Sequence, residues 1–189
     1  LQRYEPSDLG TYLWWEIKMK LLMENWRRFL TEAQGDATFK GYLGWQIPNE
    51  LVDVTEIDER FVNNRIQRDG QDVYHITLIS PPETRQIIKD IRSEMGISGG
   101  KAKKEAKRRL LEQAASLAQS EFNIGETKSV EGPGDGSVGV EGEPSSAFFK
   151  VVDWPEVQSL RSEYGLPPKD LHITLGIGDN GDVHGVEKI

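Results

Sequence analysis

The chain has three histidines, and two of them open the same four-residue phrase: His75-Ile76-Thr77-Leu78 and His172-Ile173-Thr174-Leu175. In a β-strand successive side chains face opposite ways, so in each phrase the histidine and threonine share one face and the isoleucine and leucine share the other. The apolar face has a packing role. The polar face presents an imidazole beside a hydroxyl, twice. An imidazole titrates near neutrality, at about 6.5 when unperturbed. If two such faces meet across one cleft, a neutral imidazole can take a proton while a protonated one gives one, which is the minimal equipment of general acid–base catalysis. The hydroxyls two residues on can donate hydrogen bonds to an anion held between them. Displacement at a phosphodiester uses all four groups, with attack on one side of phosphorus and departure on the other. A single His-x-Thr is common in strands and carries little. The repetition of an identical tetrapeptide is what points to catalysis.

The phrases need strands around them. Residues 72–80 read as a strand, stopped by Pro81 and Pro82, which open a helix with Ile87, Ile88, Ile91 and Met95 on one stripe. Residues 166–178 read as a loop feeding the second motif strand. Residues 39–47 read as a strand rich in aromatics, and residues 55–70 as a helix capped by Thr55 with Ile57, Phe61 and Ile66 inward. A helix over 101–122 carries Lys101, Lys103, Lys104, Lys107, Arg108 and Arg109 in its first half. Residues 123–130 are a further candidate strand, 131–146 a Gly-rich, acidic loop or long hairpin tip, 147–154 a strand, and 155–165 a helix begun by Pro155. This order, with the repeated phrase, predicts an α+β domain of two similar lobes related by an approximate two-fold. Residues 7–30 read as a tryptophan-rich helix capped by Ser7. The chain therefore divides into an N-terminal helical extension, 1–35, and a domain over 36–189, whose lobes are linked through the basic helix 101–122 and the loop 131–146.

Composition bounds the function. A chain of 189 residues with 37% apolar and 29% charged residues suits one globular domain with its own core. No apolar run is long enough for a transmembrane helix, so no membrane partner is expected. The start lacks a signal-peptide pattern and begins on Leu1 rather than Met, as a processed form or part of a larger protein would. The absence of cysteine excludes disulfides, thiolate metal sites and cysteine nucleophiles, and fits a cytoplasmic or nuclear location. The net charge of −8 argues against a long groove for duplex DNA, while leaving room for a small anion or a single RNA end. Nothing in the sequence specifies an oligomeric state.

Other residues have two readings each. His184 can line the cleft with Lys188 and bind phosphate or ribose, or it can bond a turn through Asp182. Trp45 can stack a base or fill the core. The basic run can be a solvated helix face or can steer an RNA end. Three histidines with Asp182 raise a zinc site. The short ligand spacing of such sites is missing, and each motif histidine is paired with threonine rather than a carboxylate, so neither metal nor cofactor is expected. The segment GPGDGSVGVEG lacks the G-K-[ST] of a phosphate loop and has the wrong charge for one.

The paired phrases resemble the two-histidine (2H) phosphoesterases, defined by two H-x-T/S-x motifs on two lobes. The flanking text GYLGWQIP, FVNNRI, WPEVQSLRSEYGLPPKDLHITLGIG and DVHGVEK is similar to the branch called Swiss Army Knife RNA repair-like proteins. The resemblance implies a bilobal α+β fold with two antiparallel-rich sheets and flanking helices around a central cleft. It also implies metal-independent chemistry on a cyclic or 2′-linked phosphodiester at a nucleotide or RNA 3′ end. His75 and His172 take the catalytic positions, and Thr77 and Thr174 the phosphate-binding ones. In hydrolysis of a 2′,3′-cyclic phosphate one histidine would activate water and the other would protonate the leaving ribose oxygen, with the assignment open. A module that binds such ends without turning them over, and a His-ligated zinc hydrolase, stand as alternatives.

Overall fold

The structure is a computed structural model that describes Lys18, Met19, residues 35–70 and residues 73–183. The chain divides into two units, Leu1–Gln34 and Gly35–Ile189. Of the first unit Lys18 and Met19 are described, both helical, and the rest of the expected helix over 7–30 lies outside the described residues. His184 and Lys188 lie outside them too.

In chain order the second unit runs β1 (Asp36–Phe39), β2 (Leu43–Ile47), α1 (Glu59–Asp69), β3 (Tyr74–Ile79), α2 (Pro81–Met95), α3 (Gly99–Ala114), β4 (Asn123–Pro133), β5 (Pro144–Asp153), α4 (Pro155–Glu163) and β6 (Leu171–Ile177). A hairpin, a helix and a strand occur twice, as β1-β2-α1-β3 and as β4-β5-α4-β6, with α2 and α3 between. The strands form one antiparallel sheet in the order β1-β2-β3-β6-β5-β4. One sheet thus stands where two were expected. Its halves meet where β3 and β6, the two motif strands, satisfy each other's edge groups. The seam is narrow: one registered pair, Ile76 with Ile173, against five between β2 and β3 and six between β5 and β6 among the described residues.

The apolar face forms as alternation requires. Ile76, Leu78, Ile173 and Leu175 have no exposed surface. They share a core with Ile87 and Ile91 of α2, Ala102, Ala106 and Leu110 of α3, and Val157 and Leu160 of α4. Trp45 and Trp154 meet edge to face at 5.2 Å in the same core. α1 closes over β6, with Phe61 stacked on Phe148 at 5.0 Å. Gly176 leaves the room this needs, since a Cβ there would come within 3.1 Å of Phe61.

Several boundaries differ from the sequence reading, each for a local reason. Asp58, not Thr55, caps α1, accepting from the Arg60 N–H at 2.8 Å, while the Thr55 amide and hydroxyl donate to Asp53 in a turn. On α2 the stripe ends in exposed Met95, and buried Thr84 takes part in it instead. α3 stops at Ala114 and tightens into a 3₁₀ turn over Ala115–Gln119. The Gly-rich segment is the tip of the β4–β5 hairpin, tied to the turn after β6 where Asp135 accepts from the Asp182 N–H and Asn180 accepts from the Val140 N–H. The basic run sits on α3, whose Ala102, Ala106 and Leu110 are in the core, so that helix covers the apolar face and does not border the histidines.

Candidate active site

Alternation puts His75 and Thr77 on the face of β3 opposite Ile76, and His172 and Thr174 on the face of β6 opposite Ile173. All four are half-buried while their apolar neighbours are fully buried. Because Ile76 lies opposite Ile173, and one step forward on β3 is one step back on β6, His75 falls opposite Thr174 and Thr77 opposite His172. The four side chains make a two-by-two array at the centre of the sheet, each imidazole facing a hydroxyl across the seam. The histidines occupy one diagonal, a separation of about 7–8 Å in a regular ladder. An antiparallel pair has a local two-fold normal to the sheet, and the identical phrases obey it.

The same symmetry extends to the backbone. Thr77 pairs with Gly44 and Ile79 with Leu43, which leaves Leu78 as an extra residue in β3. Thr174 pairs with Phe149 and Gly176 with Phe148, which leaves Leu175 as the extra residue in β6. The last residue of each phrase is therefore a bulge, immediately after the threonine. Bulges bend a strand and re-aim its side chains, and these two turn the strand just beyond each hydroxyl.

The polar groups of the array are available. Among the described residues no protein hydrogen bond holds the His75 ring nitrogens or the hydroxyls of Thr77 and Thr174, and none of these atoms is a sealed, unsatisfied group. The Nδ1 of His172 lies 3.4 Å from the carbonyl oxygen of Asp170, which can only accept, so that contact carries the proton on Nδ1. Each imidazole also has an aromatic neighbour at 6.0 Å: Tyr42 beside His75, tilted by 48°, and Phe149 beside His172, edge to face at 71°. Burial pushes the His75 pKa below its ordinary 6.5, opposed by Asp69 and reinforced by Arg68, Arg65 and Lys40.

Buried arginines hold the array in place. Arg65, 1% exposed, donates from Nη1 to the Val73 carbonyl at 3.0 Å and lies 4.2 Å over the Tyr74 ring, fixing the entry of β3. Arg161, also 1% exposed, donates to the Leu78 carbonyl at 2.8 Å, to the Pro167 carbonyl and to Glu83, fixing the exit of β3 and the approach to β6. Burial raises the Glu83 pKa, but hydrogen bonds from Arg161 and Ser80 outweigh it and bring the group to about 2. One turn apart on α1, Arg60 pairs with Asp179, Asn64 donates to the Ile177 carbonyl, and Arg68 pairs with Asp182 at 2.6 Å, tying the helix to the end of β6.

Comparison with known families then decides what this array belongs to. A model of the Swiss Army Knife, 2H phosphoesterase domain matches residues 46–184, which include both phrases and both bulges. The chain belongs to this 2H phosphoesterase family. No curated protein and no solved structure matches it. Phosphoester chemistry is the activity that this 2H phosphoesterase membership supports.

Within the 2H phosphoesterase domain the structure takes the core reading of Trp45. Trp45 pairs with Ile76, lies on the core face and is 1% exposed, so it packs against Trp154 and cannot stack a base. Asp182 is engaged by Arg68. No three His, Asp or Glu side chains among the described residues are grouped to hold a metal ion. A recess lined by Glu131, Pro133, Pro144 and Ser145 lies at the hairpin tip, at the far end of β5 from Val151, the partner of His172.

Two residues that sequence reasoning did not single out, Tyr42 and Gln46, lie beside the array. Gln46 pairs with His75 and so shares its face. Alternation along 43–47 was the signal, since Gly44 and Gln46 interrupt an otherwise apolar run. In the strand expected over 39–47 Tyr42 alternates with Gly44 and Gln46; the structure begins β2 at Leu43 and leaves Tyr42 in the turn before it, with its ring against Gly44, where a Cβ would meet it at 3.0 Å.

Proposed function

We propose that this 2H phosphoesterase hydrolyses 2′,3′-cyclic phosphates at nucleotide or RNA ends by paired imidazole acid–base catalysis, without a metal. The observation that carries the reading is the antiparallel register that sets two imidazoles on one diagonal and two unengaged hydroxyls on the other. A phosphate over the centre of that array would have an imidazole on each side and a hydroxyl for each non-bridging oxygen. Neutral His75 would take a proton from water as the water oxygen bonds to phosphorus. The bond from phosphorus to one ribose oxygen would break, and protonated His172 would give that oxygen its proton. This assignment of roles follows the environments. Burial favours the neutral form of His75, while Nδ1 of His172 is turned to the Asp170 carbonyl, which leaves Nε2 as the nitrogen for the leaving oxygen. The threonines would act as hydroxyl donors to the charge that grows on phosphoryl oxygen.

A binding module would need no proton donor or acceptor aimed at the ligand, and the open His75 nitrogens favour turnover over that alternative. The test is incubation of the full chain with a panel of 2′,3′-cyclic nucleotides and linear diesters, with and without EDTA, resolving 2′- and 3′-monophosphate products. The expected result is a single monophosphate from the cyclic substrates, unchanged by EDTA. Binding without product would select the recognition module, and activity lost to EDTA would select a metal enzyme.

A further inference from the structure

The four groups of the array obey a local two-fold, but a nucleotide does not: one side of its phosphate carries a nucleoside. Whatever orients the substrate must therefore lie where the two halves differ. The differences are sharp at paired positions. Opposite Thr77 stands Gly44, and opposite Thr174 stands Phe149. Opposite His75 stands Gln46, and opposite His172 stands Val151. Phe149 is 2% exposed, so the His172 half ends in a sealed apolar wall. On the His75 half the strand supplies no side chain at Gly44, and the Tyr42 ring occupies that space, half-buried with part of its surface open and 6.0 Å from the His75 ring. Both imidazoles thus have an aromatic neighbour, but only Tyr42 presents surface to a ligand. Its hydroxyl and the Gln46 amide make no hydrogen bond with a described residue.

We infer that Tyr42 is the platform on which the nucleobase of the substrate stacks, with the nucleoside lying over β2 and the Gln46 amide within reach of its polar edge. This rests on the proposed nucleotide chemistry of the same site and adds the substrate's orientation: base toward His75, with the far side of the phosphate toward His172 and Phe149. Stacking tolerates any base, since each has a π-face, so the platform selects nucleotides over base-free sugar phosphates without selecting among bases.

The test is calorimetric binding of adenosine 3′-monophosphate and of ribose 3-phosphate to the full chain and to Tyr42→Phe, Tyr42→Leu and Tyr42→Ala, with thermal unfolding of each. Tyr42→Leu keeps apolar bulk without a π-system and guards against a folding artefact in Tyr42→Ala. The expected result is that Tyr42→Leu and Tyr42→Ala weaken nucleotide binding by roughly 5- to 150-fold, as loss of one stacked base does. Ribose phosphate binding should hold, and Tyr42→Phe should bind as the wild type does. Three results would each overturn the platform: undiminished nucleotide binding by Tyr42→Leu, equal loss for both ligands, or a wild type that binds the two alike. Turnover of the cyclic nucleotide is read separately on the same samples. No turnover beside the expected binding pattern would refute the hydrolytic reading and leave the platform standing.

Discussion

At the scale of single residues, the proposed mechanism asks each of four side chains for one property. In it His75 is the neutral base, and its environment lowers the pH at which it charges. Burial does most of this, with Arg68, Arg65 and Lys40 adding to it and Asp69 opposing. The acid limb of kcat/KM for a cyclic nucleotide should therefore fall below pH 6.5, the ordinary imidazole value, and an acid limb at or above 6.5 would reassign the base. The same shift bears on stability. A histidine whose folded pKa is depressed stabilises fully above its unfolded value, and that contribution is lost as pH falls from 6.5 through the folded pKa. His75→Gln should flatten this part of a stability-versus-pH curve measured by urea titration. The threonines are tested by an isosteric change. Thr77→Val or Thr174→Val removes a hydroxyl and keeps the β-branched shape that the strand favours, so kcat should fall by about 10²–10³ for each while the unfolding midpoint holds. That these four residues share one face was legible in the sequence, because a repeated phrase singles them out. The place of the Tyr42 ring was not, since it depends on the missing side chain at Gly44.

At the scale of elements, the motif strand β3 is anchored at both ends by charge placed inside the protein. Arg161 joins the Leu78 carbonyl, the Pro167 carbonyl and Glu83 of α2. Removing it would take from Glu83 its buried ion-pair partner and from the Leu78 and Pro167 carbonyls the hydrogen bonds that Arg161 gives them. Arg161→Met should cost about 3–5 kcal/mol in a denaturant titration, the range for breaking one partner of a buried ion pair. It should also reduce turnover, through displacement of β3. Glu83 gives a second readout. Its folded pKa of about 2 lies below its ordinary 4.5, so its contribution is present above pH 4.5 and lost as pH falls toward 2. In Arg161→Met that loss should shrink, and an unchanged acid limb of stability would show that Arg161 does not hold the carboxylate. Helices and strands were largely readable from proline stops and apolar periodicity, as at Pro81 and Pro155. The arginine anchors were not, because a charged residue reads as surface unless its partners are known, and those partners are backbone carbonyls distant in sequence. The cap of α1 was misread for a related reason: Asp53 engages Thr55 in a turn, leaving Asp58 to begin the helix.

At the scale of the whole molecule, two hairpin–helix–strand units are joined through the edges of their last strands. The sequence suggested the two-fold from eight residues, and the structure extends it to matched bulges at Leu78 and Leu175 and to the strand order β1-β2-β3-β6-β5-β4. The single sheet was not legible, because edge-to-edge pairing of distant strands leaves no local trace. That seam puts both imidazoles on one surface, and it makes the central claim simple to test. Turnover of a 2′,3′-cyclic nucleotide should be measured in EDTA for the wild type, His75→Ala and His172→Ala, with folding checked by thermal unfolding. A shared site predicts wild-type turnover and a loss of about 10²–10⁴ in kcat for each variant at an unchanged unfolding midpoint. Turnover retained by either folded variant would mean that the two phrases do not serve one phosphorus.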